Sequence, residues 1–138
     1  MKNSAFTLME LVLVVVIIAV LLSIAVPSYI DTVEKARARE AKATLSAMIA
    51  AEQMYAAERR EYLQVNSTNP GTQIEDELWE AIGLDNPNKN PNRAFDYHLT
   101  AGTGVCTATA TRIDGPYLSD YITMDQDGST DDTTFWMD

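Results

Sequence analysis

Residues 6–30 read FTLMELVLVVVIIAVLLSIAVPSYI, and this stretch decides the fold. From position 11 to position 30 no residue carries a charge, and the first 12 of these 20 positions hold only Leu, Val, Ile and Ala. At about 1.5 Å per residue, such a helix spans about 30 Å, the thickness of the hydrocarbon core of a bilayer. The stretch therefore predicts a membrane-spanning helix that begins near Phe6.

The helix is predicted to continue beyond the apolar stretch. Pro27 lacks the N–H that would bond the carbonyl of Ser23, so we expect a kink or a loosened turn there, but no end to the helix. Residues 31–62 contain no Gly or Pro and are rich in good helix formers. Their apolar side chains recur at helical spacing, as in an amphipathic helix: Leu45, Met48, Tyr55 and Tyr62. We predict one nearly continuous helix over residues 6–62.

A second, short helix is predicted after a polar linker at residues 65–71. Thr72 and Glu75 match a capping box, in which the first residue caps the helix and the second bonds back to it. Gly83 stands where a glycine ends many helices. The helix is therefore expected to cover residues 73–82.

The remainder of the chain has the period-two alternation of β-strands. Apolar and polar residues alternate over residues 95–100, and small residues alternate with threonines over residues 106–111. A third strand is predicted at residues 121–125 and a fourth at residues 133–137. An antiparallel meander of three to four strands, with one face on the amphipathic half of the long helix, buries these patterns most simply. The predicted fold class is therefore α+β.

The chain is thus predicted to consist of three segments. Residues 1–5 form a short polar leader, and residues 6–30 form the transmembrane half of the long helix. Residues 31–138 form the head, which includes the amphipathic half of the helix at residues 31–62.

The net charge of −10 lies in the C-terminal part of the chain. Residues 63–138 hold 13 acidic side chains against three basic ones. A surface this acidic disfavours nucleic-acid binding, which needs clustered Lys and Arg. The single cysteine, Cys106, leaves no partner for an intramolecular disulfide. No catalytic triad order, glycine-rich phosphate loop or paired catalytic carboxylates stand out, so we expect no enzymatic activity.

Residues 5–10, AFTLME, followed by the uncharged helix with Pro27, resemble the N-terminus of type IV pilins and of the pseudopilins of type II secretion. The order of long helix, loop and antiparallel sheet is similar too, and residues 122–128 resemble the end of many small pilin-like subunits. The resemblance implies that a prepilin peptidase cleaves between Ala5 and Phe6 and methylates the new amino group of Phe6. The family usually has Gly where this chain has Ala5.

The same resemblance implies a location and a set of partners. The precursor is expected to be a single-pass inner-membrane protein with a cytoplasmic N-terminus, an orientation that Lys2 also favours. An ATPase-driven assembly platform in the inner membrane would extract the subunits, which form a homo-oligomeric filament through their N-terminal helices. The filament would be an extracellular pilus or, if the chain is a major pseudopilin, a pseudopilus that spans the periplasm.

Glu10 is the one acidic residue near the start of the predicted membrane helix. A carboxylate at the centre of a bilayer costs about 2.5–3.5 kcal/mol, and less near the interface, so its presence suggests a partner. In the family, that partner is the free amine of Phe6 in a neighbouring subunit, and the pair fixes the register between helices. The alternative is that Glu10 is only an interfacial residue of an ordinary anchor.

Four carboxylates within eight residues form a candidate calcium site: Asp125, Asp127, Asp131 and Asp132. Oxygen ligands on a tight loop suit Ca²⁺, and some major pseudopilins bind calcium near this place. The alternative is a solvated hairpin loop with an Asp-Gly turn. We expect no other cofactor.

Two other classes of protein share the apolar N-terminus. In a secreted domain, a signal peptide would be cleaved after Ala25, although Glu10 then lies where such peptides carry positive charge. In a permanently anchored membrane protein, the head would bind a soluble partner and the N-terminus would remain Met1.

Overall fold

The computed structural model describes residues 6–65 and 73–132, and of residues 73, 74 and 132 only the backbone. Its described elements are two α-helices, one 3₁₀ turn and four strands: α1 (Leu8–Arg59), α2 (Gln73–Ala81), the 3₁₀ turn (Pro87–Lys89), β1 (Phe95–Gly102), β2 (Val105–Arg112), β3 (Tyr121–Asp125) and β4 (Thr130–Asp132). The contacts divide the chain into two compact units, with the boundary between Ala36 and Arg37.

Helix α1 runs unbroken for 52 residues with Pro27 inside it, which confirms the prediction of one nearly continuous helix. The hydroxyl of Ser23 donates a hydrogen bond of 2.7 Å to the carbonyl of Val20, within the turn that precedes the proline. The kink at Pro27 stays a prediction.

In the first unit, the apolar side chains of α1 are not covered. Every large apolar side chain of residues 11–30 is exposed, with exposed fractions between 43% and 71%. By length and composition, this part of α1 is long and apolar enough to cross a membrane, as the sequence predicts.

In the second unit, the four strands form an antiparallel sheet in the order β1-β2-β3-β4. Tyr97 lies opposite Ala110, which in turn lies opposite Ile122, so one side-chain face runs straight across the sheet. The predicted α+β fold, a long helix with a four-stranded antiparallel meander, is confirmed.

The core of this unit joins the inner face of the sheet to the apolar stripe of α1. Phe95, Tyr97 and Leu99 are buried, as are the small residues of β2. Leu45 and Met48 of α1 belong to the same cluster of buried side chains, while the predicted stripe residues Tyr55 and Tyr62 are partly buried against it. Alternation in the strands and helical spacing in α1 therefore identify the core correctly.

Helix α2 ends as predicted at a glycine in the left-handed region. Gly83 has φ of +78°, and its N–H donates to the carbonyl of Glu80 (2.9 Å). The N–H of Leu84 donates to the carbonyl of Trp79 (3.0 Å), which completes a Schellman motif. Thr72, the predicted N-cap, lies outside the described residues.

The prediction that residue 65 belongs to a polar linker is wrong. Val65 is fully buried and pairs with Leu99 on the outer edge of β1. Its N–H donates to the carbonyl of Leu99 (3.1 Å) and its carbonyl accepts from the N–H of Leu99 (2.7 Å). A single apolar residue among polar ones gives no strand pattern, so periodicity could not find this bridge. Residues 66–72 lie outside the described residues.

The last hairpin closes earlier than predicted. The sequence places residues 125–132 in a loop and the fourth strand at residues 133–137, whereas β4 begins at Thr130, opposite Met124. Gly128 has φ of +80°, which only a glycine adopts without strain, so the chain reverses in four residues. Residues 133–138, which contain the predicted strand, lie outside the described residues.

Candidate assembly and metal sites

The start of α1 is capped by two of its own side chains. The carboxylate of Glu10 accepts hydrogen bonds from the N–H of Thr7 (3.1 Å) and from its hydroxyl (3.0 Å), both at Oε2. In return, the N–H of Glu10 donates to the hydroxyl oxygen of Thr7 (3.2 Å). Thr7 is therefore the N-cap and Glu10 the third helical residue of a capping box. Sequence reasoning predicted this motif at Thr72, which lies outside the described residues, and missed it here, although the Thr-x-x-Glu spacing is the same.

This geometry gives Glu10 a local role besides the predicted one between subunits. The N-terminal end of a helix favours negative charge, and the capping bonds satisfy part of the carboxylate within its own chain. A cation from another chain would therefore add to an existing set of hydrogen bonds. Phe6, the predicted methylated residue, is 78% exposed, whereas Ala5 lies outside the described residues.

The acidic turn between β3 and β4 is organised by Asp125. Its carboxylate oxygen Oδ1 accepts from the N–H of Asp127 and from the N–H of Ser129, each at 3.0 Å. Its carbonyl accepts from the N–H of Gly128, and its own N–H donates to the carbonyl of Ser129, again at 3.0 Å. Asp125 thus acts as the local cap of a tight turn.

The other predicted calcium ligands are spread along the hairpin. Asp127 is exposed at the tip, and Asp131 is exposed in β4 opposite Thr123. The backbone of Asp132 lies opposite Ile122. Among the described side chains, no group of three or more His, Cys, Asp or Glu is placed to hold a metal ion. Calcium binding by this turn stays a prediction.

That prediction has a direct test. If the turn binds Ca²⁺, millimolar Ca²⁺ raises the melting temperature of the full chain in detergent, because the ion binds only the folded state. Asp125→Ala should remove the rise. Since Asp125 also caps the turn, Asp127→Asn is the cleaner variant, because it removes one charge from the exposed tip. Equal melting curves in Ca²⁺ and in chelator would leave the segment as a solvated turn.

A buried carboxylate in α1 was not predicted. Glu52 is fully buried, and its Oε2 accepts from the N–H of Leu63 (2.9 Å) after the end of the helix. Its Oε1 has no hydrogen-bond partner among the described residues. Burial raises the pKa of Glu52, and the bond from Leu63 partly opposes that shift. The signal was present in the sequence, because position 52 falls on the same stripe as Leu45 and Met48.

The single cysteine lies close to this carboxylate. Cys106 is fully buried in β2, as its place in a small-residue strand predicts. Burial, followed by the negative charge of Glu52, raises the pKa of the thiol to about 12. The thiol is therefore protonated and unreactive in the folded protein.

No family model matches the chain. The type IV major pilin protein PilA of Myxococcus xanthus (strain DK1622) is 38% identical over 61 residues. The resemblance to type IV pilins is confirmed.

The type IV pilin similarity covers 44% of this chain and 28% of the length of the pilin. The chain thus spans less than a third of the curated relative it matches. The long apolar helix fits a pilin as well. What the pilin assembles with is therefore carried to this chain only as a proposal.

Proposed function

We propose that this chain is a structural subunit of a type IV pilus-like filament and has no catalytic role. The observation that carries the proposal is the long helix with uncovered apolar side chains, in a chain that is 38% identical over 61 residues to a type IV major pilin. Burying one large apolar side chain is worth about 1.5–3 kcal/mol, so a helix face of this size needs a bilayer or other helices around it. The bilayer surrounds the helix before assembly, and the helices of neighbouring subunits surround it in the filament.

The proposed life cycle has two stages. The precursor lies in the inner membrane as a single-pass protein with its N-terminus in the cytoplasm, where a prepilin peptidase acts on it. An inner-membrane assembly platform then moves the subunits into a filament of identical copies. The pilin relative favours an extracellular pilus. The alternative, a major pseudopilin, predicts loss of protein secretion on deletion of the gene, whereas the pilus predicts loss of surface filaments.

Processing is the first testable step. We expect the mature chain to begin at Phe6 with a methylated amino group, because residues 5–10 have the form of a prepilin cleavage site. Intact-mass measurement of the protein from its host should show the loss of residues 1–5 and the gain of one methyl group. A chain that keeps Met1 indicates a permanent anchor, and a chain that begins at Val26 indicates a secreted domain. Either result contradicts the proposal.

A further inference from the structure

Helix α1 lines one side of an open surface groove in the second unit, and the end of α2 lines the other. The volume of the groove is about 510 Å³. On the α1 side its surface is formed by small alanines together with Met54, whose side chain is 73% exposed. Alanine side chains end at Cβ, so another helix can approach this surface closely. An exposed methionine over an apolar surface is typical of a surface that a partner covers.

The opposite wall is held rigidly by the end of α2. The Schellman bonds at Gly83 and Leu84 fix the chain reversal, and Ile82 beside them is buried to 7% exposure. Glu80 of α2 and Glu58 of α1 both line the groove. The described lining thus includes two carboxylates and no Lys, Arg or His. An apolar surface with an acidic rim fits a partner that is small in cross-section and basic.

The chain itself carries an exposed basic side chain on α1 that fits this rim. Of its 10 basic residues, three follow residue 62, and each of these is paired within the chain: Lys89 with Asp76 (2.8 Å), Arg93 with Asp96 (2.5 Å) and Arg112 with Asp114. Of the other seven, Lys2 lies outside the described residues, Arg59 and Arg60 are exposed directly after Glu58, and four lie on α1 between positions 35 and 42. Among these four, Arg39 is exposed and the other three are half-buried. Arg39 is thus the basic side chain of this segment that is best placed to reach another molecule.

Arg39 cannot reach the carboxylate of Glu58 in its own chain. Glu58 lies 19 residues after Arg39 on the same continuous helix, a separation of about 28 Å. A contact between them needs two copies, offset along the helix axis by this distance if their α1 helices are parallel. Such a contact joins two different surfaces, and repeated head-to-tail contacts that do not close into a ring produce a helical filament.

We propose that this groove is an interface between subunits, occupied by α1 of a second copy with Arg39 against Glu58 and Glu80. The inference rests on the proposed filament function and adds to it a specific contact between heads. It gives a role to an exposed basic side chain in a chain whose net charge is −10.

Charge reversal and exchange test the contact. In a host that lacks the native gene, Glu58→Arg with Glu80→Arg should lower the yield of sheared filaments about tenfold or more, because like charges then face each other. Arg39→Glu alone should do the same, and the triple variant should recover most of the yield. The control is Glu61→Arg with Glu77→Arg, which makes the same change of charge at exposed positions outside the groove.

Each outcome has a defined meaning, provided that the subunit reaches wild-type levels in the membrane fraction. Wild-type yield from the Glu58/Glu80 double variant overturns the interface, as does an equal loss in the Glu61/Glu77 control. Loss without recovery in the triple variant overturns Arg39 as the occupant and points to another protein. Absence of filaments from the wild-type chain instead overturns the proposed function itself.

Discussion

Glu10→Ala is expected to leave membrane insertion intact and to abolish filament assembly. Removing the carboxylate makes the start of the helix more apolar, so insertion becomes more favourable. We expect assembly to be lost because Glu10 is the one acidic residue among residues 1–30, and its proposed pairing with the amine of a neighbouring chain would fix the register between helices. Electron microscopy of sheared filaments and an immunoblot of the membrane fraction measure the two effects separately.

The capping box supplies the controls for this variant. Glu10→Gln keeps a hydrogen-bond acceptor for Thr7 but removes the charge, whereas Thr7→Ala removes the cap and keeps the charge. Loss of a cap costs about 1 kcal/mol of helix stability, which a helix of 52 residues tolerates. We therefore expect Glu10→Gln to fail in assembly and Thr7→Ala to assemble. Normal filaments from Glu10→Ala would show that Glu10 only caps its own helix.

Much of the fold was predictable because the chain carries strong periodic signals. Strands β1 and β2 alternate over their whole length, and α1 is both long and free of helix breakers except Pro27. The failures fall where a single residue decides the outcome. Val65 forms a single bridge to Leu99 at the edge of β1. A single apolar residue shows no periodicity, so the sequence alone does not reveal this bridge. The early start of β4 depends on a four-residue turn whose register follows from the bonds to Asp125.

The candidate sites were predictable only as residue types. The sequence identifies Glu10 as unusual, yet its bonds to Thr7 appear only once the start of the helix is placed. It also groups four aspartates within eight residues, but it does not show that the carboxylate of Asp125 caps the turn or that Asp131 lies in β4. Closeness in sequence does not give the turn and strand geometry on which metal ligation depends.

Substitution of Glu52 is the second change for which we expect a large effect on stability, because this side chain holds the segment that follows α1 by a hydrogen bond. Its carboxylate accepts a hydrogen bond from the N–H of Leu63, which lies two residues before the Val65 bridge to β1. Glu52→Ala leaves that N–H without its partner and opens a cavity beside Cys106, so we expect a loss of about 3 kcal/mol in the free energy of unfolding. Thermal unfolding of the full chain in detergent, followed by circular dichroism, measures the loss.

Replacing Glu52 with Gln is expected to have the opposite effect at neutral pH. Because the pKa of Glu52 is raised in the folded state, the folded protein binds this proton more tightly than the unfolded chain does. Its contribution to stability is therefore complete below the ordinary pKa of 4.5 and is lost as the pH rises through the raised value. Glutamine resembles the protonated form at every pH, so Glu52→Gln should be more stable than the wild type at pH 7 by about 1 kcal/mol.

The pH dependence separates this electrostatic effect from a change in packing. The melting temperatures of wild type and Glu52→Gln should differ by several degrees at pH 7 and converge as the pH approaches 4. Glu61→Gln, at an exposed position that follows the same helix, controls for the change of net charge. A difference between wild type and Glu52→Gln that stays constant from pH 7 to pH 4 would show that the carboxylate is not destabilised by burial. In that case Glu52→Gln changes stability through packing or hydrogen bonding and not through the charge of Glu52.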